Sequence, residues 1–281
     1  MPYQNEYLGA SPRLVITPLT DLVYLHIAVS VQNCKAINLA GPAGTGKSET
    51  TKDQNKSRAN ACVVFNCSDT VEIQVMNRFF MGFCMTGAGS CLDEFNRLEL
   101  SLLSVIAGSI KQILDGLRYI RSDPDASHNF LFNGYELQLH PDTMIAISLN
   151  PGYAGRAELP QNLKNLFRSF SMVVPDYSLI SEIILFSQGF TTAKPLSRKV
   201  VQLYKLSSEQ LSQQNSYDFG MRGVKSVLSM AGNFRRKFPD QSEEFLLIRA
   251  MQDSNLPRMP AEDRDLFMGI VQDLFPNVVY K

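Results

Sequence analysis

Eight consecutive residues have the types and spacing of a phosphate-binding loop. Residues 41–48 read GPAGTGKS and satisfy the pattern G-x-x-x-x-G-K-[ST]. The glycines let the backbone fold tightly, so that successive N–H groups point inward at a triphosphate. Lys47 brings a positive charge to the outer phosphates, and the Ser48 hydroxyl is a ligand for Mg²⁺. The nucleotide-binding residues predicted here are Gly41, Pro42, Ala43, Gly44, Thr45, Gly46, Lys47, Ser48 and Glu49.

Two carboxylates follow a predicted strand later in the chain. The predicted strand Ser90–Leu92 is followed directly by Asp93 and Glu94. The first carboxylate is placed to hold Mg²⁺ through its water shell, and the second to orient and deprotonate an attacking water. The same pattern also occurs as a solvated strand end, but the complete loop upstream favours an ATPase site.

Three further residues each have a catalytic and an ordinary interpretation. Asn150 closes a strand, where it either forms a turn or points its amide at the γ-phosphate or the lytic water. Arg222 begins a helix and is either a surface cation or part of a lid that reaches over the phosphates. Arg168, predicted on a short helix, suits an arginine finger for a neighbouring subunit as well as a helix C-terminal cation.

The composition argues against several other classes of protein. Twenty-seven basic residues balance 27 acidic ones without a Lys/Arg block, so nothing favours binding to nucleic acid or an anionic membrane. No apolar run approaches the roughly 18 to 20 residues that cross a bilayer. The five cysteines form no C-x-x-C pair, and we expect buried, reduced thiols in a compartment continuous with the cytosol.

Short apolar strands alternate with helical patterns up to residue 175. This alternation predicts an α/β fold with a parallel sheet covered on both faces. Asn133-Gly134 predicts a β-hairpin inserted at 128–140. From residue 176 the pattern is helical only, so we expect a nucleotide-binding subdomain (1–175) followed by a helical lid (176–281). The predicted strands are Ile37–Ala40, Cys62–Asn66, Ser90–Leu92, Met144–Leu149 and Ser171–Val174.

Two helices of the first part differ sharply in composition. The clearest is Glu99–Arg118, where leucine and isoleucine recur at spacings of three and four. The segment 49–60, directly after the loop, reads ETTKDQNKSRAN and has no large apolar residue. Forgoing two leucines there forfeits about 3–6 kcal/mol of burial. We therefore expect this helix to be unusually exposed, or the fold to be weakened around it.

Several blocks of sequence together resemble one family. They are EYLGASPRLVITPLTD, GPAGTGKSETTKD, VVFNCSD, DEFNRLELSLLSVIA, LNPGYAGRAELPQNLKNLFRSF, VPDYSLISEIILFSQGF and YDFGMRGVKSVLSMAGN. Over essentially its whole length the chain resembles the first AAA+ module of a dynein heavy chain, and it is more similar to axonemal than to cytoplasmic dyneins. The resemblance implies an AAA+ P-loop NTPase core with a five-stranded parallel sheet, an inserted β-hairpin and a C-terminal helical lid.

The resemblance also implies a role for each matching residue. The catalytic positions are the phosphate-binding Lys47, the glutamate Glu94, the first sensor Asn150 and the second sensor Arg222. The implied Mg²⁺ ligands are Ser48 and Asp93, and the segment against the adenine is Leu14, Val15 and Ile16. ATP and Mg²⁺ are the implied cofactors.

The family further implies partners and a location. In dyneins this module is the principal ATPase site, and its cycle drives the linker and release from microtubules. The expected partners are the neighbouring AAA+ modules and linker, with microtubules reached only through the full motor and intermediate and light chains indirectly. The expected location is the cytoplasm, cytoskeleton and cilium axoneme. A single module lacks a neighbour's arginine finger, worth about 10³–10⁵ in rate in related enzymes, so we expect slow turnover from it alone.

Two departures from the family pattern keep a second hypothesis open. The family usually has a bulky residue such as Trp where Ala88-Gly89 stands, and its leucine- and alanine-rich helix after the loop is here the polar segment. The alternative is a nucleotide-binding interaction or regulatory module with little or no hydrolysis.

Overall fold

Five of the strands form one parallel sheet, and two form a separate hairpin. The strands are β1 (Ala36–Ala40), β2 (Cys62–Asn66), β3 (Gly89–Asp93), β4 (Asn129–Phe132), β5 (Tyr135–Gln138), β6 (Met144–Leu149) and β7 (Phe167–Ser171). The sheet has the order β2-β3-β6-β1-β7, and every neighbouring pair is parallel. β1 and β6 lie inside it and are buried on both faces, which accounts for their mostly apolar sequences.

The structure, a computed structural model, describes residues 1–10, 12–123, 125–151, 158–212, 214, 216–276 and 278. The chain divides into two compact units, Met1–Val174 and Pro175–Lys281. The sheet and the hairpin belong to the first unit. The described residues of the second unit form helices and their connections.

Helices cover both faces of the sheet, as the alternating pattern predicts. Those of the first unit are α1 (Pro18–Gln32), α2 (Lys47–Ser57), α3 (Ile73–Thr86), α4 (Leu100–Ser122) and the single-turn α5 (Gln161–Lys164). On one face, α3 and α4 pack around buried residues such as Phe80 and Ile110. On the other, α1 packs Val23 and Ile27 against β1 and β6.

The helix α4 confirms the predicted helix Glu99–Arg118 and continues to Ser122. Its length and apolar composition would suffice to cross a membrane, so the expectation that no segment has them is wrong. The packing of α4 explains its apolar composition. Leu103, Ile110 and Leu117, spaced along one side of the helix, are buried in the core of the first unit. We assign α4 to the protein core.

The inserted hairpin is confirmed. β4 and β5 pair antiparallel, and they lie between α4 and β6 in the chain. Asn133 and Gly134 both have positive φ, 47° and 88°, which is what a two-residue type I′ turn requires.

The fifth predicted strand is displaced. Ser171–Val174 was expected, but β7 runs from Phe167 to Ser171, and Val173 and Val174 are 61% and 58% exposed beyond its end. Their β-branched side chains gave the apolar signal without being part of the sheet. Arg168 therefore lies in β7, opposite Ile37 of β1, so its predicted position on a short helix is wrong. The short helix of this region is α5, which ends before Arg168.

The polar helix α2 is buried, so the expectation of an exposed helix is wrong. Thr50, Thr51 and Asn55 are at most 1% exposed. Each bonds a backbone carbonyl one turn earlier, so the burial leaves these donors satisfied. A Cβ added to Gly89 of β3 would lie 2.3 Å from Asn55 Oδ1. The small residue at the start of β3 and the polar helix thus fit each other.

The second unit has its own core. Its helices are α6 (Tyr177–Ser187), α7 (Ala193–Gln210), α8 (Met221–Lys237), α9 (Glu243–Asn255) and α10 (Ala261–Leu274). They confirm the expectation that the chain is helical from residue 176 onward, for the residues that the structure describes there. Leu203, Val227, Leu247 and Phe267, from four of these helices, are fully buried together.

Candidate nucleotide-binding site

The predicted catalytic residues of the first unit follow three neighbouring strands. β3, β6 and β1 are adjacent and parallel, so their carboxyl ends lie at one edge of the sheet. The loop 41–48 follows β1, Asp93 is the last residue of β3 with Glu94 directly after it, and Asn150 follows β6. Ligands of open α/β sheets bind at this edge.

The glycines of the loop each have a structural reason. Gly44 and Gly46 have φ of 77° and 83°, a left-handed conformation that favours glycine. At Gly41, an added Cβ would lie 2.4 Å from the Met172 carbonyl oxygen, which follows β7. The helix α2 begins at Lys47, so its N-terminal N–H groups are at the end of the loop. Loop and helix together form a cradle suited to an anion.

The Lys47 side chain lies against the loop. The residue is 6% exposed, and its Nζ donates to the carbonyl oxygens of Gly41 and Pro42 at 2.9 and 2.7 Å. The ammonium is therefore held at the loop whose backbone would receive the phosphates.

The two predicted magnesium ligands meet. Ser48 Oγ donates to Asp93 Oδ1 at 2.7 Å. A hydroxyl and a carboxylate oxygen are hard oxygen donors of the kind Mg²⁺ takes, and Mg²⁺ is typically held by one or two carboxylates together with substrate phosphates. The residues present fit a magnesium ion carried with a bound triphosphate.

Ser148, which the sequence did not single out, joins this pair. Its hydroxyl donates to Asp93 Oδ1 and accepts the Glu94 N–H at 3.0 Å. Ser148 is 1% exposed and lies one residue before the end of β6. A polar residue near the end of an otherwise apolar strand was the one available signal.

Glu94 and the first-sensor candidate Asn150 are in direct contact. Asn150 Nδ2 donates to Glu94 Oε1 at 3.2 Å, and Asn96 Nδ2 donates to the Asn150 carbonyl at 3.2 Å. Arg97 Nε lies 2.5 Å from Glu94 Oε2. Glu94 has a φ of 53°, unusual for a residue with a side chain and often found at functional sites.

The remaining predicted residues belong to other elements of the chain. Leu14 and Val15 are half-buried, Ile16 is 48% exposed, and the segment is tied to α2 through Asp53. Arg222 is exposed at the second residue of α8 in the other unit, and Arg168 is exposed in β7. Within the motif NPGYAGR, residues 152–156 lie outside the described part of the chain.

The cysteines are reduced thiols, and four of the five are buried, as expected. Burial raises the pKa of Cys62 to about 11 and those of Cys67 and Cys84 to about 12. All three stay protonated near neutral pH and pack as small apolar side chains.

Comparison with known families shows the family to which the chain belongs. Residues 3–281 match the family described as the hydrolytic ATP binding site of the dynein motor region. The chain belongs to this family. It is an ATP-binding and ATP-hydrolysing AAA+ module of the dynein type, and the alternative of a module without useful hydrolysis is not favoured.

Individual relatives narrow the type to axonemal dyneins. Human dynein axonemal heavy chain 6 is 54% identical over 276 residues, 98% of this chain and 6% of that protein. Mouse dynein axonemal heavy chain 3 is 52% identical over 281 residues, 99% of this chain and 7% of the relative. Mouse dynein axonemal heavy chain 12 is 52% identical over 280 residues, 98% of this chain and 9% of the relative. The chain thus spans less than a tenth of each of these dyneins.

Proposed function

We propose that the loop 41–48, Asp93, Glu94 and Asn150 form one Mg²⁺–ATP hydrolysis site. The observation that carries the proposal is the contact of Ser48 with Asp93 at 2.7 Å, beside a Glu94 that the Asn150 amide contacts at 3.2 Å. A loop hydroxyl, a metal-binding carboxylate and a catalytic carboxylate with its orienting amide are the parts that phosphoryl transfer to water needs.

Each residue then has a distinct task. The loop N–H groups and Lys47 hold the phosphates. Ser48 and Asp93 would hold Mg²⁺, which would neutralise charge on the phosphate oxygens. Glu94 orients the water and accepts its proton as the water oxygen bonds to the γ-phosphorus. The bond from that phosphorus to the β–γ bridging oxygen breaks, and ADP and phosphate leave. Asn150 keeps the Glu94 carboxylate in its orientation.

Two more parts of the proposal lie beyond this cluster. Leu14, Val15 and Ile16 contact the adenine, and Arg222 of the helical unit (proposed as a lid, 176–281) reaches the γ-phosphate. The apolar side chains of Leu14, Val15 and Ile16 suit contact with a base. The guanidinium group of Arg222 suits contact with a phosphate. The family resemblance supports both assignments.

The role in a larger assembly follows from the relatives, which are axonemal dynein heavy chains. We propose that ATP turnover in this module drives microtubule-based movement within such a heavy chain. Its immediate partners are then neighbouring AAA+ modules and the linker, with intermediate and light chains further away. The proposed location is the cytoplasm and the cytoskeleton of the cilium axoneme.

The division of labour is tested by titrating the purified chain with Mg²⁺–ATP in a calorimeter. We expect Lys47→Ala to weaken binding, because a phosphate cation is lost, whereas Glu94→Gln keeps the affinity within about threefold because the carboxylate acts in the chemical step. The matched control is Lys52→Ala, which removes an exposed cation paired with Glu49 on the same helix. Equal loss of affinity in Lys47→Ala and Glu94→Gln would contradict the assigned roles.

A further inference from the structure

A buried carboxylate on the loop helix holds the N-terminal segment. The Asp53 side chain, in α2, is 6% exposed. Its two oxygens accept hydrogen bonds from Arg13 Nε and Nη2 at 3.0 and 3.2 Å and from the Leu14 N–H at 3.1 Å. The Tyr24 hydroxyl of α1 donates to Asp53 Oδ2 as well. One side chain thus joins α2, α1 and the segment before α1.

The carboxylate is charged at neutral pH. Burial by itself raises the pKa of Asp53, but the hydrogen bonds from Arg13, Tyr24 and the Leu14 N–H outweigh it and hold that pKa below its ordinary value. Burial and the bond to Asp53 raise the pKa of the Tyr24 hydroxyl, so it remains a donor. Charge-assisted hydrogen bonds of this kind are the strong ones, and the three elements are joined firmly.

The position of Asp53 along its helix connects this junction to the phosphate loop. α2 begins at Lys47, so Asp53 is on the same rigid helix, fewer than two turns from the residues at the phosphates. On the other side of the junction, the Leu14 N–H is in the segment proposed to contact the adenine. The Asp53 carboxylate therefore connects the segment proposed to contact the adenine to the helix that begins at the phosphate loop.

We propose that Asp53 is a positioning residue that fixes the adenine-contacting segment to the phosphate-loop helix. The inference rests on the proposed function, since it concerns the geometry of that ATP site. With Asp53 in place, the segment Leu14–Ile16 is pre-organised at a set distance from the loop, so the base binds without ordering that segment first. Without it, the loop still binds phosphates while the base contributes less.

The test separates the base from the phosphates. The purified chain is titrated calorimetrically with Mg²⁺–ATP and with Mg²⁺–tripolyphosphate, which has no base. For Asp53→Ala we expect ATP affinity to fall about tenfold, with tripolyphosphate affinity changed less than about twofold. Asp53→Asn keeps an oxygen for the Leu14 N–H, so its loss for ATP is smaller. The control Asp21→Asn removes an acid in the first turn of α1 and changes neither affinity.

Arg13→Gln provides a second variant with Asp53 in place, in case Asp53→Ala does not fold. It removes a half-exposed cation. We expect the ATP affinity to fall selectively, as in Asp53→Ala, but by a smaller factor. If tripolyphosphate binds too weakly to titrate, the ratio of ATP to GTP affinity replaces it and is expected to fall in the variants. Equal losses for ATP and tripolyphosphate, an unchanged ATP affinity or an unchanged ratio would overturn the positioning role alone. A folded wild type that binds neither ligand would overturn the proposed function and this inference together.

Discussion

The Asp93 carboxylate accepts hydrogen bonds from two serine hydroxyls, one in the loop and one in the neighbouring strand. Ser48 connects it to the phosphate loop, and Ser148 connects it to the backbone of Glu94. The two carboxylates that we propose to bind Mg²⁺ and to activate water are thus joined by one short chain of hydrogen bonds. Side-chain networks of this type fix orientation more than they add stability.

Removal of the Ser148 hydroxyl should affect the chemical step. In Ser148→Ala the Glu94 N–H and Asp93 each lose a partner, so both carboxylates gain orientational freedom. We expect kcat to fall about tenfold, a higher Mg²⁺ concentration for half-maximal activity and little change in KM for Mg²⁺–ATP. Phosphate release measured over a Mg²⁺ series checks this.

The matched control is Ser90→Ala, which removes a buried hydroxyl from β3 that bonds the Met144 carbonyl. We expect it to lower stability without changing the Mg²⁺ dependence. A Ser148→Ala variant with the Mg²⁺ dependence of the wild type would contradict the role given to Ser148.

At the scale of single elements, the polar α2 and the glycine at the start of β3 explain each other. Asn55 Nδ2 bonds the Thr51 carbonyl, which fixes its amide against β3. Gly89 provides the space, because a Cβ there would collide with that amide. The two departures from the family pattern are therefore one compensated change in packing.

This pairing predicts the cost of a single added methyl group. Gly89→Ala should lower the free energy of unfolding by about 1–3 kcal/mol, because Asn55 must leave its hydrogen-bonded position. Urea unfolding of the variant measures the change. Gly82→Ala in α3, where an added Cβ meets nothing within 4 Å, is the control and should be neutral or stabilising.

The double variant Gly89→Ala/Asn55→Ala tests the coupling directly. Its cost should be smaller than the sum of the two single costs, since the collision is gone. Strict additivity would show that Gly89 and Asn55 do not constrain each other.

The start of α9 depends on an ionised side chain. Glu243 accepts hydrogen bonds from the N–H and hydroxyl groups of Thr191 and Thr192. Burial by itself raises the pKa of Glu243, but these four bonds outweigh it and lower the pKa to about 2 from an ordinary 4.5. A lowered folded-state pKa means that the stabilisation is complete above pH 4.5 and is lost as the pH falls toward 2.

We therefore expect Glu243→Gln to melt at a lower temperature than the wild type at pH 7. The difference should narrow as the pH falls from 4.5 toward 2. Thermal unfolding followed by circular dichroism over this pH range measures it. Glu244→Gln, which removes an acid paired with Lys199, is the control, and a Glu243→Gln difference independent of pH would argue against this account.

The parts of the site that the sequence predicts are those with fixed local spacing. The loop 41–48 and the pair Asp93–Glu94 carry their chemistry in consecutive residues, so the interpretation needs no knowledge of packing. Ser148 needs it, because a serine gains a role only when its strand lies beside β3. The strand β7 was misplaced for a similar reason: exposed Val173 and Val174 have the composition of a strand, whereas Phe167–Ser171 mixes polar and apolar residues.

The whole molecule divides into two compact units between Val174 and Pro175. The assignment of the two units as a nucleotide-binding subdomain and a lid remains our proposal. The family match supports it, since residues 3–281 correspond to one ATP-binding module. The chain matches only 6–9% of the length of these heavy chains, so a part in movement along microtubules remains a proposal for it.

ATP hydrolysis at this site is tested by steady-state phosphate release from the purified chain, compared with that from Glu94→Gln. We predict a slow wild-type rate that still exceeds that of Glu94→Gln at least about a hundredfold, because the variant keeps ATP but loses the general base. A cooperative melt and an unchanged ATP affinity confirm that the variant is folded. A wild-type rate equal to that of Glu94→Gln, with normal ATP affinity in both, would contradict the hydrolysis site proposed at the end of β3.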